Sequence, residues 1–287
     1  LHREDNRTVP VLIRATPGVE AHTHEFIRTG QIDSKFGFGV DGGNSGAADS
    51  LTKAVERAAG APGLDLRGVH IHIGSQVFVA DFFQQAVDII APWVRSLDLD
   101  ELSIGGGLGV PYLTDDRAPS ISEWGHTVLA ACRAAGVRGR ITAEPGRAIV
   151  AQAALTIYTV GTVKDIPGVR TYVSVDGGMS DNPRPVLYDS GYEAFLPRAV
   201  DARRPRTVTV VGKHCESGDV LVRDAQVPAD LAVGDLLATP VTGAYGHSMG
   251  SNYNRVPRPA VVFVADGRAR LVIRRETFED MAATDLG

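Results

Sequence analysis

The sequence predicts two dissimilar halves. Residues 1–150 read as a β/α unit, the C-terminal half of a (β/α)8 TIM-like barrel, and residues 151–287 as a β-sandwich or β-barrel domain. Three observations carry this. Short strand-like runs alternate with helix-length segments in the first half. The polar and glycine-rich residues of that half gather where the predicted strands end, which is where barrel enzymes place their chemistry. Beyond residue 150 the texture changes to Val-, Thr- and Ile-rich runs separated by turn residues.

In the first half the strands fall at 9–15, 68–74, 101–105 and 140–143, with helices at 45–59, 81–97 and 121–135 between them. Strands separated by helices of that length indicate a parallel sheet with crossover connections. Only half of a closed barrel is visible, and half a barrel would leave open sheet edges. The chain also opens Leu-His-Arg-Glu-Asp, with neither an initiator Met nor a signal-peptide pattern, and enters a strand within a few residues. The expectation is that an N-terminal segment precedes residue 1 or is supplied from elsewhere. In the second half strand-like runs occur at 154–163, 171–175, 207–211, 219–223, 236–241 and 260–265. Asp266-Gly267 lies between two apolar runs and predicts a hairpin, and a short polar helix follows near 276–283.

Composition excludes several classes. With 287 residues, 44% hydrophobic and 22% charged, the chain is of ordinary globular type. Its formal net charge of −5 gives no basic field for nucleic acid or an anionic membrane. No apolar run approaches the roughly 20 residues that cross a bilayer. Cys132 and Cys215 are the only cysteines, too few for a disulfide framework, so a cytoplasmic location is expected.

The chemistry-bearing segments come next. Gly105-Gly106-Gly107-Leu108-Gly109 follows a predicted strand, as a backbone phosphate cradle does and as a purely structural turn does. It is not a dinucleotide fingerprint, because position 110 is Val, and no Lys-Ser/Thr follows to make a Walker loop. Val69-His70-Ile71-His72-Ile73 alternates, so both histidines share one strand face. They mark a polar barrel centre or, without any nearby Cys or acidic cluster to support it, a zinc pair. His22-Thr23-His24 reads as a polar loop. Glu144-Pro145-Gly146-Arg147 puts an acid and a base on one tight turn, either as a site or as a salt-bridged loop. The second half adds Asp176-Gly177-Gly178-Met179-Ser180-Asp181-Asn182-Pro183-Arg184-Pro185 with Tyr188, Gly212-Lys213-His214-Cys215-Glu216-Ser217-Gly218-Asp219, and Thr242-Gly243-Ala244-Tyr245-Gly246-His247. Any one could be an ordinary turn; together they point to a binding site.

Taken in order, these segments resemble the fold-type-III pyridoxal-phosphate decarboxylases, most closely the diaminopimelate decarboxylases. The resemblance runs from Arg14-Ala15-Thr16-Pro17-Gly18 and Asp33-Ser34-Lys35-Phe36-Gly37-Phe38 to Arg275-Glu276-Thr277. Its most specific parts are 144–147, 176–185, Cys215-Glu216-Ser217 and Ser251-Asn252-Tyr253-Asn254. It implies a PLP-binding β/α barrel with a C-terminal β domain, a homodimer with shared active sites, and conversion of meso-2,6-diaminopimelate to L-lysine and carbon dioxide with pyridoxal 5′-phosphate. By the same resemblance His72 stacks on the cofactor ring, Ser75, Gly105, Gly106 and Gly107 hold its phosphate, and Gly146 also binds the cofactor. Glu144 pairs with the pyridine nitrogen, where the similar alanine racemases place an arginine. Arg147 and Tyr245 serve cofactor and substrate, Arg184 and Tyr188 bind substrate, and Glu216 meets the distal ammonium. Cys215 supplies the proton that replaces the lost carboxylate; the lesser alternative is a buried structural thiol. Cys132 reads as helix packing.

The resemblance also implies a Schiff-base lysine on an early barrel strand, and none of Lys35, Lys53, Lys164 and Lys213 matches it. The chain by itself is therefore expected to be inactive, with on the order of 150 residues absent upstream. Two other readings stay open. A sister decarboxylase of ornithine, arginine or carboxynorspermidine is disfavoured by paired Arg147 and Arg184, since simple diamines have cationic distal ends. A non-catalytic paralogue that binds or regulates a partner has no use for Glu144 and the Cys215-Glu216 pair.

Overall fold

The computed structural model describes residues 6–19, 35–40 and 50–287. His22-Thr23-His24, Asp33-Ser34 and the first part of the predicted helix at 45–59 lie outside the described residues. The chain divides into two compact units, Leu1–Pro111 with Asp115–Ile149, and Tyr112–Thr114 with Val150–Gly287.

The sheet of the first unit contains β1 (Val9–Thr16), β2 (Phe38–Gly39), β3 (Leu64–Ile71), β4 (Glu101–Ser103) and β5 (Arg140–Thr142) in the order β2-β1-β3-β4-β5. Every pairing is parallel. Three helices cover it: α1 (Leu51–Ala59), α2 (Asp81–Ser96) and α3 (Ile121–Ala134). Ser50 caps α1 by accepting from the Lys53 amide, and Ser120 with Glu123 forms a capping box on α3. On α2 the residues Phe83, Val87, Ile90 and Val94 recur at helical spacing, and all are buried. They pack in one core with Val69, Ile71 and Ile73 of the β3 segment and with Leu102 and Ile104. Phe83 meets Trp124 of α3 edge to face, with centroids 5.5 Å apart.

Two strands differ from the sequence expectation. β3 runs from 64 to 71 rather than 68 to 74. Its early half pairs with β1 through Asp65 and Leu66, and the charges of Asp65 and Arg67 hide that part of the strand from a periodicity reading. Its end comes early because His72 leaves the ladder and its ring takes the Gly106 amide instead. β2, only Phe38 and Gly39, is too short to carry a periodic signal.

The second unit has β6 (Leu155–Ile166), β7 (Arg170–Val175), β8 (Arg206–Val211), β9 (Val220–Val227) and β10 (Leu236–Pro240), ordered β10-β6-β7-β8-β9. All pairs are antiparallel except β7 with β8. The hairpin β11 (Val261–Ala265) and β12 (Arg268–Ile273) forms a separate two-stranded sheet. Its turn holds Asp266 at φ 51° and Gly267 at φ 69°, the double left-handed geometry that Asp-Gly favours. Where the sequence predicts a sandwich or barrel, the described strands make one five-stranded sheet and this hairpin, because alternation marks strands but does not decide which strands pair. The helix Phe278–Ala282 follows the hairpin, capped by Thr277 with Asp280.

Phe83 is fully buried between α2 and α3, so Phe83→Ala is expected to cost about 3–5 kcal/mol of stability, measured by chemical denaturation. A loss below about 1 kcal/mol would mean this core is not packed as described.

Candidate active site

Because β3, β4 and β5 run parallel, their C-terminal ends open at one edge of the first sheet. His72 lies just past β3, the glycine turn 105–107 past β4, and Glu144 to Arg147 past β5. The alternation in β3 sends Val69, Ile71 and Ile73 into the helical core and turns both imidazoles to the opposite face. There the His70 and His72 rings stack at 6.3 Å with 14° between planes. The Glu144 carboxylate sits 3.3 Å from His70 Nε2 and accepts a hydrogen bond from Ser103 Oγ at 3.1 Å. Arg147 Nη2 donates to Ser75 Oγ at 2.9 Å, and the Gly146 amide donates to the Glu144 carbonyl as the short helix Gly146–Val150 begins.

The glycine turn is set by close approach. A Cβ on Gly105 would stand 2.2 Å from the Ile71 carbonyl, on Gly106 2.3 Å from that of Glu144, and on Gly107 2.1 Å from that of Gly74. Gly105 and Gly107 also take φ of 67° and 101°, which L side chains rarely adopt. The Gly105 amide donates to Ser103 Oγ at 3.3 Å and the Gly106 amide to His72 Nδ1 at 3.1 Å. Among the described residues the Gly107 amide has no acceptor. His72 Nδ1, as an acceptor, leaves the ring proton of the neutral form on Nε2. Burial holds both histidines below their ordinary value, and for His72 the Arg14 charge adds to it.

Arg14 is a site residue to which the sequence reading gave no role. It lies on β1 with its guanidinium 4.7 Å from the Phe36 ring centroid, and its buried Nη2 has no hydrogen-bond partner. Burial lowers its pKa, and Glu144 opposes that shift. The available signal was a charge inside the apolar run Val-Pro-Val-Leu-Ile-Arg. Ser103, which holds both Glu144 and the glycine turn, gave no signal beyond a serine in a short strand.

In the second unit β7, β8 and β10 run in one direction, so the loops leaving them share an edge. Asp219 joins two of these loops. Its buried carboxylate accepts from the amides of Met179 at 2.7 Å and His214 at 2.9 Å. A Cβ on Gly212 would lie 2.1 Å from that carboxylate and one on Gly178 2.7 Å, so the glycines are there for its approach. His214 Nε2 lies 2.9 Å from Ser180 Oγ, and the Ser180 carbonyl accepts from the Ser251 amide, which brings in the third loop. Asp181 accepts from Tyr158 Oη at 2.6 Å and from the Gly178 amide at 2.7 Å, and burial raises the pKa of both side chains.

On this frame Cys215 and Glu216 are exposed, and Tyr253 Oη donates to Glu216. Cys132, by contrast, is buried in α3 and its thiol is pushed up to about 11. Arg184 and Tyr188 share the helix Arg184–Tyr188. Arg184 is buried; its Nη1 donates to Tyr192 Oη at 2.7 Å and its guanidinium lies 4.2 Å from the Tyr112 ring centroid. No carboxylate pairs with it among the described residues. Tyr245, at φ 67°, is exposed and leads into the helix Gly246–Met249.

Residues 1–151 match the family described as pyridoxal-dependent decarboxylase, pyridoxal binding domain. The chain belongs to that family. Two curated relatives named diaminopimelate decarboxylase agree along its length: one from Synechocystis sp., 44% identical and matched over 99% of this chain, and one from Bacillus subtilis, 45% identical over 100%. The chain spans 61% and 66% of their lengths. A crystal structure of diaminopimelate decarboxylase from Helicobacter pylori, complexed with L-lysine, superposes with a TM-score of 0.85 at 30% identity, covering 98% of this chain and 68% of that one.

Membership of this family makes pyridoxal phosphate its cofactor, and the first unit fits that group. A tight glycine turn, a hydroxyl beside an arginine, an imidazole face and a carboxylate stand at one sheet edge, as an aromatic phosphate ester with a basic ring nitrogen requires. The described residues contain no group of three or more His, Cys, Asp or Glu that could hold a metal ion. No helix among the described residues is long and apolar enough to cross a membrane.

Three expectations follow from this geometry. In a nitrogen-detected NMR titration His72 should titrate below 6.5, with its neutral-form proton on Nε2. Because the folded pKa values of His70 and His72 are depressed, their contribution to stability is complete above 6.5 and is lost as pH falls through the folded values. His72→Phe should therefore flatten the fall of melting temperature between about pH 7 and 5. In the second unit, Asp219→Ala leaves two amides without their charged acceptor and should lower stability by about 2–4 kcal/mol, read by denaturant melts.

Proposed function

We propose that this chain belongs to an enzyme that decarboxylates meso-2,6-diaminopimelate to L-lysine and carbon dioxide. In this reading residues 1–150 supply the C-terminal half of a (β/α)8 barrel and residues 151–287 the β domain of a cytoplasmic homodimer with shared active sites. The observation that carries the reading is Glu144, an acid held by Ser103 and His70 at the polar edge of the first sheet. Pyridoxal phosphate, when bound, supplies the sink for the electron pair that departing carbon dioxide leaves behind. A carboxylate at the pyridine nitrogen keeps a proton there and so favours loss of carbon dioxide. The curated relatives that share the chain's whole length carry the same activity in their names.

The remaining residues divide the work. His72 lays its ring against the cofactor. Ser75, Gly105, Gly106 and Gly107 hold the phosphate, with the Gly107 amide as the donor still open, and Gly146 also binds the cofactor. Arg147 and Tyr245 serve phosphate and substrate together. Arg184 and Tyr188 take a substrate carboxylate; a buried guanidinium flanked by tyrosines and unpaired with any described acid is suited to one. Glu216 meets the distal ammonium. The Cys215 thiol gives its proton to the carbon that has lost carbon dioxide, and its exposure favours that role over packing.

The test is turnover by the full-length protein loaded with pyridoxal phosphate. It should release carbon dioxide and L-lysine from meso-diaminopimelate and leave ornithine and arginine nearly untouched. Comparable kcat/KM for either of those amino acids would overturn the substrate assignment. Cys215→Ala should slow turnover by roughly 10²–10⁴ with an unchanged melting temperature. Arg184→Ala should raise KM for diaminopimelate while cofactor affinity holds. Near-normal turnover in Cys215→Ala would remove that thiol from the mechanism.

A further inference from the structure

The segment Ser251-Asn252-Tyr253-Asn254 carries a tyrosine that reaches the Cys215-Glu216 loop. Its tyrosine makes the one side-chain hydrogen bond described for Glu216, phenol to carboxylate. Both side chains are exposed, Tyr253 at 41%, and an exposed hydrogen bond of this kind adds little to folding stability. Yet several independent features fix the phenol in place. Its ring lies against the buried His214 ring, with centroids 5.5 Å apart. The two residues after it, Asn254 and Arg255, take φ of 54° and 55°, and a left-handed arginine is held there only by its surroundings. The residue before it is clamped: Asn252 Nδ2 donates to Glu276 Oε2 at 2.6 Å and to the Val256 carbonyl at 3.1 Å. Glu276 in turn accepts from the Arg258 amide at 2.8 Å and from Arg258 Nε at 2.7 Å. Those donors hold its carboxyl down at about 2, so the clamp stays ionised across the working pH range.

So much local order around an exposed bond serves the placement of Glu216 rather than stability. We infer that Tyr253 is a positioning residue that aims the Glu216 carboxylate at the distal ammonium of the substrate, with the Asn252–Glu276–Arg258 clamp holding Tyr253 in register. This rests on the reading that Glu216 meets that ammonium. A freely rotating glutamate loses rotamer entropy on each binding event; one already held by a phenol does not. Because the distal ammonium is remote from the reacting carbon, losing this hold weakens ground state and transition state alike, and the effect falls on KM.

The experiment uses full-length protein loaded with pyridoxal phosphate. Tyr253→Phe keeps the ring on His214 and removes only the hydroxyl. It should raise KM for meso-diaminopimelate about tenfold or more while kcat stays within about twofold and the melting temperature is unchanged. In a Glu216→Ala background the same substitution should add no further rise in KM. An unchanged KM in Tyr253→Phe, beside a raised KM in Glu216→Ala, would overturn the positioning role and leave the Glu216 assignment intact. An unchanged KM in Glu216→Ala would overturn that assignment and this inference with it. A fall in kcat with a lowered melting temperature in Tyr253→Phe would make the tyrosine a packing residue of the Cys215 loop and would also overturn the inference.

Discussion

Successive side chains of an extended strand point to opposite faces, and in the first unit that pleat separates stability from chemistry. Val69, Ile71 and Ile73 go to the helical side and His70 and His72 to the other. The apolar set fixes the register, because a one-residue slip would bury two imidazoles among Phe83, Val87 and Ile90 and expose three aliphatic side chains. With the register fixed, His72 arrives beside Gly106, Glu144 beside His70, and Ser75 beside Arg147. The site therefore inherits its precision from the core beneath it.

Strand direction does for the second unit what the pleat does for the first. Its sheet is mostly antiparallel, but β7, β8 and β10 point the same way, and three polar loops leave at a common edge. Asp219 joins two of them through backbone amides. A buried carboxylate is costly, and here backbone amides and the absence of side chains at Gly178 and Gly212 make its burial tolerable. Gly178 and Gly212 are thus a consequence of where one acid has to sit, whereas Gly177 makes room for the Tyr158 ring.

Both units also keep an arginine away from full hydration. Arg14 lies over Phe36 and Arg184 between Tyr112 and Tyr192, each held by aromatic faces rather than by a carboxylate ion pair among the described residues. A guanidinium so placed keeps most of its capacity to bind an anion, which a salt bridge would have used.

Much of this was legible in the order of residues. Alternation in Val69 to Ile73 placed both histidines on one face, and Asp266-Gly267 marked its hairpin turn. Glycine-rich segments after strands were legible as tight turns, because each such segment is a local property of the chain. The early half of β3 and the two-residue β2 were not legible, since their ladders depend on a neighbouring strand and not on their own composition. Nor was the company each side chain keeps. That Arg14 faces the histidine side, that Ser103 supports Glu144, that Asp219 ties two loops and that Tyr253 reaches Glu216 all join residues distant in sequence. Sequence alone determined which residues could carry the chemistry and at which strand ends they lie. Only the tertiary structure decided which of them meet, because hydrogen bonds and close packing are settled by distances that chain order does not contain.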